Sequence, residues 1–448
     1  MAPVIDNLKQ YMDPLNDDQL KNAVQGLSVT ELVEIWDTLD DEESLKVFLH
    51  LDKEKRSFLM TELYVPDQER LLKALSVRDT KELLDYLEPD DLVDLIQSLS
   101  PEVRSSVWTN LSEDARKETE FLLRFDEDDA AGLMTPRYAA VRGELTVAQA
   151  LTFIRRSMTD VEMIYNIYVI DQLKRLIGVL SLRDLLVSKD TQKIEDIMVR
   201  NFVYVREETD QEETARILED NDLIAIPVVD KINRILGIVT FDDVIDVIRE
   251  EQTEDIYKMG AMGGDTRSYL ETNVFGLVWK RLPWLVFLLI AGTITTNVLH
   301  GYENLILSAA FLTLFIPVIT QTGGNSGTQS ATLMIRGLAT GELKFRDIGR
   351  VMLKEIFVGI LIGLATGLII FARSFLLPPG VTLYQALAVG ASLSCVVLFA
   401  TVMGAFVPML LNRFHVDPTV AAGPLMSTVI DVCGLTIYFE VSKLILGL

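Results

Sequence analysis

Apolar residues in the first quarter of the chain recur with the period of an α-helix. Segments such as LVEIWDTL, KELLDYL and DLVDLIQSL place apolar side chains three and four positions apart, with turn signals between the segments. Two stretches, LDKEKRSFLMTEL and LSPEVRSSVWTNL, look like degenerate copies of one unit. The pattern predicts an α-helical, superhelical domain over residues 1–130, built from short amphipathic helices.

The pattern changes near residue 130 to short β-branched strands that alternate with helices, and it does so twice. The copies contain IYNIYVIDQLKRLIGVLSLRDLL and DLIAIPVVDKINRILGIVTFDDVI, and each ends in a Ser or Thr three residues before an Asp that opens a helix. Two α/β domains are therefore predicted, at 131–199 and 200–250. They resemble a tandem pair of CBS (cystathionine β-synthase) domains.

The CBS resemblance implies an adenine nucleotide such as ATP as cofactor, with the aspartate of the motif hydrogen-bonded to the ribose. The matching cofactor-binding positions are Ser181 and Asp184 in the first copy, and Thr240 and Asp243 in the second. An aspartate at a helix N-terminus either caps the helix or accepts a ribose hydroxyl. The sequence leaves both readings open.

Residues 251–281 are predicted to form a connecting helix, which begins as an acidic amphipathic segment. It ends in Trp279, Lys280 and Arg281, with Trp284 beyond, and such aromatic and basic residues are typical of a cytoplasmic membrane interface. The segment would link the soluble half of the chain to a membrane.

Residues 282–448 are apolar enough to form a five-helix transmembrane domain. The predicted spans are 282–299, 304–335, 352–376, 383–411 and 418–446. Arginines and lysines gather before the first span, after the second and before the fifth, which places the N-terminal domains in the cytoplasm and the C-terminus outside. The first ten residues, MAPVIDNLKQ, show no signal peptide. We expect a multi-pass protein of the cell's inner membrane, in contact with the lipid bilayer.

Negative charge is concentrated in the soluble half. The chain has 65 acids and 41 bases, of which only seven acids and eight bases follow Arg281, so 58 acids and 33 bases lie in the first 281 residues. A domain this acidic is not expected to bind nucleic acid, but it can bind cations. A merely soluble acidic surface is the alternative.

Residue chemistry does not favour an enzyme. The two cysteines, Cys395 and Cys433, lie in apolar segments and form neither a disulfide framework nor a CxxC site. The predicted spans hold no HExxH motif, and the GNSGT segment lacks a placed base.

Asp431, in PLMSTVIDVCG, lies near the middle of the last predicted span. An ionised carboxylate there costs about 2.5–3.5 kcal/mol on insertion scales and persists mainly where it faces a polar cavity, a partner or an ion. A protonated or hydrogen-bonded structural aspartate is the other reading. The second span carries GGNSGTQS, which is expected to interrupt its helix and open a polar cavity, or else to pack small residues between helices.

The segments FIPVITQTGGNSGTQSATLMIRGLATGE and DPTVAAGPLMSTVIDVCG resemble the signature segments of the MgtE family of magnesium channels. The order of domains along nearly the whole chain is also similar. The resemblance implies a homodimer with a Mg²⁺-selective pore on its two-fold axis, closed by cytosolic Mg²⁺ that acts on the soluble domains. The family's pore aspartate corresponds to Asp431.

The pore chemistry fits a hydrated Mg²⁺, which dehydrates reluctantly and prefers oxygen ligands. Asn325 and Gln329 lie four residues apart and share a helical face. The expected pore-lining residues are Asn325, Gln329, Gly423, Pro424, Ser427 and Thr428. Asp417 would lie roughly 21 Å along a continuous helix from Asp431 and would mark the cytoplasmic mouth.

Acidic clusters are the expected regulatory Mg²⁺ sites, because carboxylate faces repel one another unless divalent ions neutralise them. The residues predicted from clustering are Asp90, Asp91, Asp94, Asp242, Asp243, Asp246, Glu250, Glu251, Glu254 and Asp255. The resemblance adds Glu62, Glu212, Asp222 and Glu271. Mg²⁺ would bias the protein toward its closed state. For any single acid, a solvated surface role is the alternative.

Two other functions remain open at this point. One is a CBS-regulated divalent-cation carrier coupled to H⁺ or Na⁺, in which Asp431 carries a proton. The other is a Mg²⁺ sensor without transport.

Overall fold

The computed structural model describes residues 17–36, 38–157, 161, 163–263, 272–377, 380–421 and 423–448. The chain divides into two compact units, Met1–Ile248 and Arg249–Leu448.

The first unit begins with short helices around one leucine-rich core, as predicted. Aspartates and serines cap several of them: Asp40 forms a capping box with Glu43, and Ser76 and Ser112 accept hydrogen bonds from the first turns of their helices. Several helices contact the helix two places further along the chain. The helices are α1 (Asp17–Gln25), α2 (Val29–Trp36), α3 (Asp41–His50), α4 (Lys53–Glu62), α5 (Val65–Ala74), α6 (Val77–Leu84), α7 (Pro89–Ser98), α8 (Pro101–Asn110) and α9 (Glu113–Leu122).

Two copies of one α/β unit follow, which confirms the predicted tandem repeat. In each copy the first strand pairs in parallel with the second, and the second pairs antiparallel with the third. The elements are β1 (Tyr138–Arg142), α10 (Val147–Ser157), β2 (Met163–Ile170), β3 (Leu176–Ser181), α11 (Leu182–Val187), α12 (Ile194–Ile197), β4 (Val205–Arg206), α13 (Gln211–Asp220), β5 (Ala225–Val229) and β6 (Ile235–Thr240).

The two copies lie side by side and share a core. The Leu176 amide donates to the Asn233 carbonyl at 2.9 Å, and the Ile235 amide donates to the Lys174 carbonyl at 3.3 Å. Tyr168 of the first copy is buried in one apolar cluster with residues of the second. Backbone pairing and a common core therefore hold the pair together.

Helix α14 (Phe241–Met259) follows β6 and runs through the predicted boundary at residue 250 without a break. The second unit then contains α15 (Val274–Gly301), α16 (Glu303–Ser308), α17 (Ile316–Ala339), α18 (Ile348–Leu376), α19 (Leu383–Arg413) and α20 (Pro424–Leu446). Short 3₁₀ turns lie at Ala310–Leu314, Phe345–Asp347 and Pro418–Ala421.

Three helical segments in the described part of the chain are long and apolar enough to cross a membrane: Val274–Gly301, Phe345–Leu376 and Leu383–Arg413. They contain the first, third and fourth predicted spans, and each extends beyond the predicted bounds at one end or both. Helices α17 and α20 are of comparable length, with 24 and 23 residues.

The predicted interruption of the second span at GGNSGTQS is wrong. All eight residues lie inside α17, and the break comes earlier, between Ser308 and Ile316. Pro317 occupies the first turn of α17, where its missing amide proton costs nothing, so it starts the helix rather than breaking it. The glycines serve packing instead: a β-carbon on Gly327 would lie 2.1 Å from Ile430.

Helices α18 and α19 approach each other at backbone distance. A β-carbon on Gly363 would lie 2.6 Å from the Ser394 carbonyl, and one on Gly367 would lie 2.6 Å from the Gly390 carbonyl. Small residues allow this approach, as they do in membrane helix pairs generally.

Candidate functional site

Asp431 lies two turns into α20, and its side chain is half-buried. Within the ranges that the structure describes, neither a hydrogen-bond donor nor a basic group pairs with its carboxylate. The other acids on the long apolar helices have partners: Glu355 accepts a hydrogen bond from Ser330 at 2.6 Å, and Glu440 accepts one from Tyr302 at 2.7 Å. The oxygen atoms of the Asp431 carboxylate are therefore available to bind a cation.

The start of α20 provides further oxygen groups near Asp431. Thr428 donates its hydroxyl to the Pro424 carbonyl at 2.9 Å, and Gly423 precedes the helix with a positive φ of 56° and no side-chain cap. Ser427 packs against α17, since a β-carbon on Gly324 would lie 3.4 Å from the Ser427 Oγ. The structure thus brings together the predicted Gly423–Thr428 segment and the glycine-rich part of α17.

Asn325 and Gln329 are both exposed and lie one turn apart on α17. The buried residues Gly324 and Gly327 lie on the side of α17 that packs against its neighbours. The two amides therefore form an exposed polar row beside a packed glycine face.

The expected continuous helix from Asp417 to Asp431 is wrong. Asp417 precedes the 3₁₀ turn Pro418–Ala421, and α20 begins only at Pro424. Asp417 accepts hydrogen bonds from the Thr419 amide at 2.8 Å and the Thr419 hydroxyl at 2.6 Å, which stabilise this turn. From Pro424 to Asp431 the helix rises only about 10 Å.

Lys258, near the end of α14, forms ion pairs with Asp417 at 2.7 Å and with Glu254 at 2.8 Å. Asp255 lies beside them and is half-buried. Burial and the nearby Asp417 carboxylate raise the pKa of Asp255 to about 6, although Lys258 opposes the shift. This group of residues is called the mouth cluster below.

Gly423 approaches the end of α14 closely. A β-carbon at Gly423 would lie 2.5 Å from the Met259 carbonyl oxygen. The Met259 side chain packs on a buried cluster that includes Ala421, Met426 and Ile430. The end of α14 therefore rests directly on the beginning of α20.

A second acidic group forms where α7 faces the beginning of α14. Burial, together with the nearby Glu88, Asp243, Asp94 and Asp242 carboxylates, raises the pKa of Asp91 to about 7. Burial also raises the pKa of Asp243 to about 7, with Asp242 adding to the shift and hydrogen bonds from Thr240 opposing it. Two half-buried carboxylates with raised pKa values gain from a shared cation, because an opposite charge favours their ionised form.

The remaining predicted metal ligands are more dispersed. Asp90 is buried, whereas Glu62, Asp94, Glu212, Asp222, Asp242, Asp246 and Glu250 are exposed and Glu251 is intermediate. Glu271 lies outside the described residues. In the ranges given above, no three acids, histidines or cysteines are grouped closely enough to hold a metal ion.

The two predicted nucleotide motifs differ in their surroundings. The Ser181 hydroxyl donates to Asp184 at 2.6 Å and caps α11, and Asp184 is exposed. The Thr240 hydroxyl is hydrogen-bonded to both Asp242 and Asp243 at 2.5 Å, and Asp243 faces the acids of α7. Only the first motif presents its aspartate away from other carboxylates.

Sequence reasoning missed Lys258 and Glu355. Lys258 follows Glu254 by four residues, a spacing that favours an ion pair on a helix. Glu355 is an acid within an apolar span, which is by itself a functional signal.

Comparison with known proteins agrees with these features. A family model described as "Divalent cation transporter" matches residues 316–441, one described as "MgtE intracellular N domain" matches 27–128, and the CBS domain model matches 130–189 and 194–250. The long apolar helices, the CBS pair and the match to the divalent-cation model together define a membrane transport protein of the divalent-cation class. The chain belongs to the MgtE family.

Two relatives are each called "Magnesium transporter MgtE". The one from Thermus thermophilus is 46% identical over 337 residues, covering 74% of this chain and 73% of that protein. The one from Enterococcus faecalis is 36% identical over 336 residues, covering 74% and 72%.

The solved cytosolic domain of the Mg²⁺ channel MgtE in complex with ATP is similar in structure, with a TM-score of 0.52 and 39% identity over 54% of this chain and 99% of that one. The soluble part of a magnesium transporter has a TM-score of 0.51 and 26% identity, covering 56% and 98%.

Proposed function

We propose that the protein is a Mg²⁺-selective channel that mediates Mg²⁺ uptake and is closed by cytosolic Mg²⁺. Its relatives are magnesium transporters, which supports the choice of ion. The observation that carries the pore assignment is the half-buried Asp431 carboxylate, which has no partner among the described residues although Glu355 and Glu440 have theirs.

The pore is proposed to form on the two-fold axis of a homodimer. Among the residues that the structure describes, one subunit offers a single unpartnered carboxylate on its long apolar helices, which is too little to enclose a hydrated ion. Two Asp431 side chains, with hydroxyls and carbonyls from the start of α20, would hold Mg²⁺ through its water shell. Asn325 and Gln329 would line the same pathway.

The membrane domain is proposed to cross the bilayer five times. Helices α17 and α20 supply the second and fifth spans beside the three strongly apolar ones. The polar residues that these two helices carry fit a pore-lining role, since polar residues on spans are tolerated where they face water or an ion. The soluble domains then lie in the cytoplasm and the C-terminus outside.

Closure is proposed to act through the two acidic groups. Mg²⁺ between Asp91 and Asp243 would hold α7 against the start of α14, and Mg²⁺ at the mouth cluster would hold the end of α14 against α20. Mg²⁺ binds the closed state more tightly because only that state brings the carboxylates together, and this difference shifts the equilibrium.

An adenine nucleotide is proposed to bind the CBS pair at Asp184 rather than Asp243. A relative's cytosolic domain has been solved in complex with ATP. Asp184 is exposed, whereas the carboxylates around Asp243 would repel the phosphates of a nucleotide.

The test is Mg²⁺ flux into proteoliposomes for wild type, Asp431→Ala and Asp431→Asn, with Mg²⁺ varied on the cytosolic face. Glu440→Gln is the matched control, because Glu440 is nine residues further along α20 and therefore lies about 180° around the helix. We expect wild-type flux to fall as cytosolic Mg²⁺ rises. Both Asp431 variants should lose Mg²⁺ flux, whereas the Glu440→Gln control should retain it.

Two results would contradict the proposal. Wild-type conduction by Asp431→Ala would make Asp431 structural. Flux that depends on pH or Na⁺ at fixed voltage would instead indicate a carrier coupled to H⁺ or Na⁺.

A further inference from the structure

Helix α17 has a sequence poorly suited to holding one fixed orientation. Gly323, Gly324 and Gly327 lie within two turns, and glycine both weakens a helix and leaves a smooth face. Such a face packs closely but offers few side chains that lock into a neighbour. Another feature must fix how α17 is rotated about its own axis.

Two polar contacts supply that lock, and they lie one turn apart on the same face. The Ser326 and Thr401 hydroxyls are hydrogen-bonded at 2.9 Å, which joins α17 to α19. The Ser330 hydroxyl donates to Glu355 Oε2 at 2.6 Å, which joins α17 to α18. Because Thr401 donates its own proton to the Val397 carbonyl at 2.8 Å, it serves as acceptor for Ser326.

The Glu355 contact is the more deeply buried of the two. Glu355 is 6% exposed and Ser330 is 4% exposed. In the part of the chain that the structure describes, no basic side chain forms an ion pair with Glu355. Burying a carboxylate in an apolar domain costs free energy, so a carboxylate at a helix contact indicates a functional role.

The two serines that make these contacts, Ser326 and Ser330, lie next to the exposed polar row formed by Asn325 and Gln329. Ser326 follows Asn325 and Ser330 follows Gln329, so the rows are about 100° apart around α17. Gly404 of α19 leaves no free space on the packed side, since its β-carbon would lie 2.2 Å from the Gly327 carbonyl and 3.0 Å from the Ser330 Cβ. The direction of the Asn325 and Gln329 amides is therefore set by the two polar contacts.

We propose that Glu355 is a positioning residue for ion selection: through Ser330 it fixes the rotation of α17 and thereby the direction of Asn325 and Gln329. This role rests on the proposed pore function. Glu355 acts at a distance from the ion and does not bind it.

The test compares Ser330→Ala, Glu355→Ala, Glu355→Gln and the double variant Ser330→Ala/Glu355→Ala in proteoliposomes, with the full-length dimer isolated by size exclusion. The measurement is the ratio of Mg²⁺ to Ca²⁺ flux per dimer. Ser374→Ala is the matched control, because Ser374 is a fully buried serine of α18 whose hydroxyl, among the described residues, bonds only to the Phe371 carbonyl of its own helix.

We expect Ser330→Ala and Glu355→Ala to lower the selectivity ratio about tenfold, the size that corresponds to one lost hydrogen bond to a charged group. The double variant should match either single one, since both remove the same contact. Glu355→Gln keeps an acceptor oxygen and should restore most of the ratio. The control should keep it.

A second measurement does not depend on flux. In a background with Cys395→Ser and Cys433→Ser, a thiol introduced by Asn325→Cys should react with a water-soluble maleimide. Adding Ser330→Ala should slow that reaction severalfold, because the residue turns away from the pathway. Because it uses Ser330→Ala, this labelling measurement still tests the proposal if Glu355→Ala fails to assemble.

An unchanged ratio and an unchanged labelling rate in Ser330→Ala, with at most a lower yield or melting temperature, would overturn the proposal. Failure of the proposed function looks different: wild type would carry no Mg²⁺, or Asp431→Ala would conduct normally. If Asp431→Ala is inactive while the Ser330 and Glu355 variants behave as wild type, only the positioning role is lost.

Discussion

The Lys258 ammonium lies 2.7 Å from the Asp417 carboxylate, so the protein places a cation of its own where two helix ends meet. Burial lowers the pKa of Lys258, but hydrogen bonds to Asp417 and Glu254 outweigh it and leave the pKa above its ordinary value. Burial raises the pKa of Asp417, but Lys258 and Thr419 hold it below its ordinary value. The mouth cluster is thus partly neutralised before any Mg²⁺ binds.

Lys258→Met should weaken closure. A half-buried ion pair contributes about 1 kcal/mol, so flux at high cytosolic Mg²⁺ should rise about fivefold. Lys258→Arg should retain the charge and most of the closure. The control is Lys231→Met, which removes an exposed pair with Glu208 in the CBS region. Equal flux in Lys258→Met and wild type, measured in proteoliposomes, would show that the pair does not stabilise the closed state.

Gly423→Ala should separate the end of α14 from α20. The new β-carbon would need to lie 2.5 Å from the Met259 carbonyl, and the positive φ adds a strain of about 1–3 kcal/mol. Gly447→Ala shares the positive φ but meets nothing within 4 Å. We expect Gly423→Ala to need more cytosolic Mg²⁺ for closure, and Gly447→Ala to close normally. A shared phenotype would assign the effect to strain alone.

The pair Asp91 and Asp243 should make stability depend on pH in metal-free buffer. Their pKa values of about 7 lie above the ordinary 3.8, so the folded state binds more protons between these values. By linkage, their contribution to stability is fully present below about pH 4 and is lost as the pH rises through 7. The melting temperature of the full-length protein in EDTA should therefore fall between pH 5.5 and 8.

Asp243→Asn should flatten that pH dependence. Added Mg²⁺ should raise the melting temperature of the wild-type protein at pH 8. Asp184→Asn is the matched control, since Asp184 holds the same motif position in the first copy but is exposed. An Asp243→Asn curve as steep as that of wild type would assign the pH dependence to other groups.

Nucleotide binding should depend on Asp184 and tolerate changes at Asp243. Loss of one charge-assisted hydrogen bond to a ribose predicts that Asp184→Ala weakens ATP binding about tenfold in calorimetry. Asp243→Ala should leave the affinity unchanged or raise it, because it removes a repelling charge. The reverse order of effects would place the nucleotide in the second copy.

Periodicity predicted the helical N-terminal region and the repeated α/β unit because both depend on local apolar spacing. It failed at GGNSGTQS, where close packing against Ile430 overrides the low helix propensity of glycine. It also missed the break before Pro424, where Gly423 combines a positive φ with a close approach to Met259, a residue far away in the sequence.

The candidate site was predictable where the signal was chemical and local. Asp431 stands out as an acid in an apolar run, and residues 90–94 and 242–246 stand out as acidic clusters. That Asp91 faces Asp243, or that Glu355 reaches Ser330, depends on pairs separated widely along the chain. No local pattern specifies such pairs.

The glycine contact between α18 and α19 has a mechanical consequence. The Gly363 and Gly367 backbones lie against Ser394 and Gly390, and the Ser394 hydroxyl donates to the Gly363 carbonyl at 2.8 Å, so neither helix can slide or roll without breaking that hydrogen bond. The two helices then form a rigid frame. The pore must therefore open and close through other helices, such as α14, that move relative to this frame. Spin labels on α18 and α19 should keep one fixed separation whether Mg²⁺ is absent or abundant, whereas a label on α14 should shift.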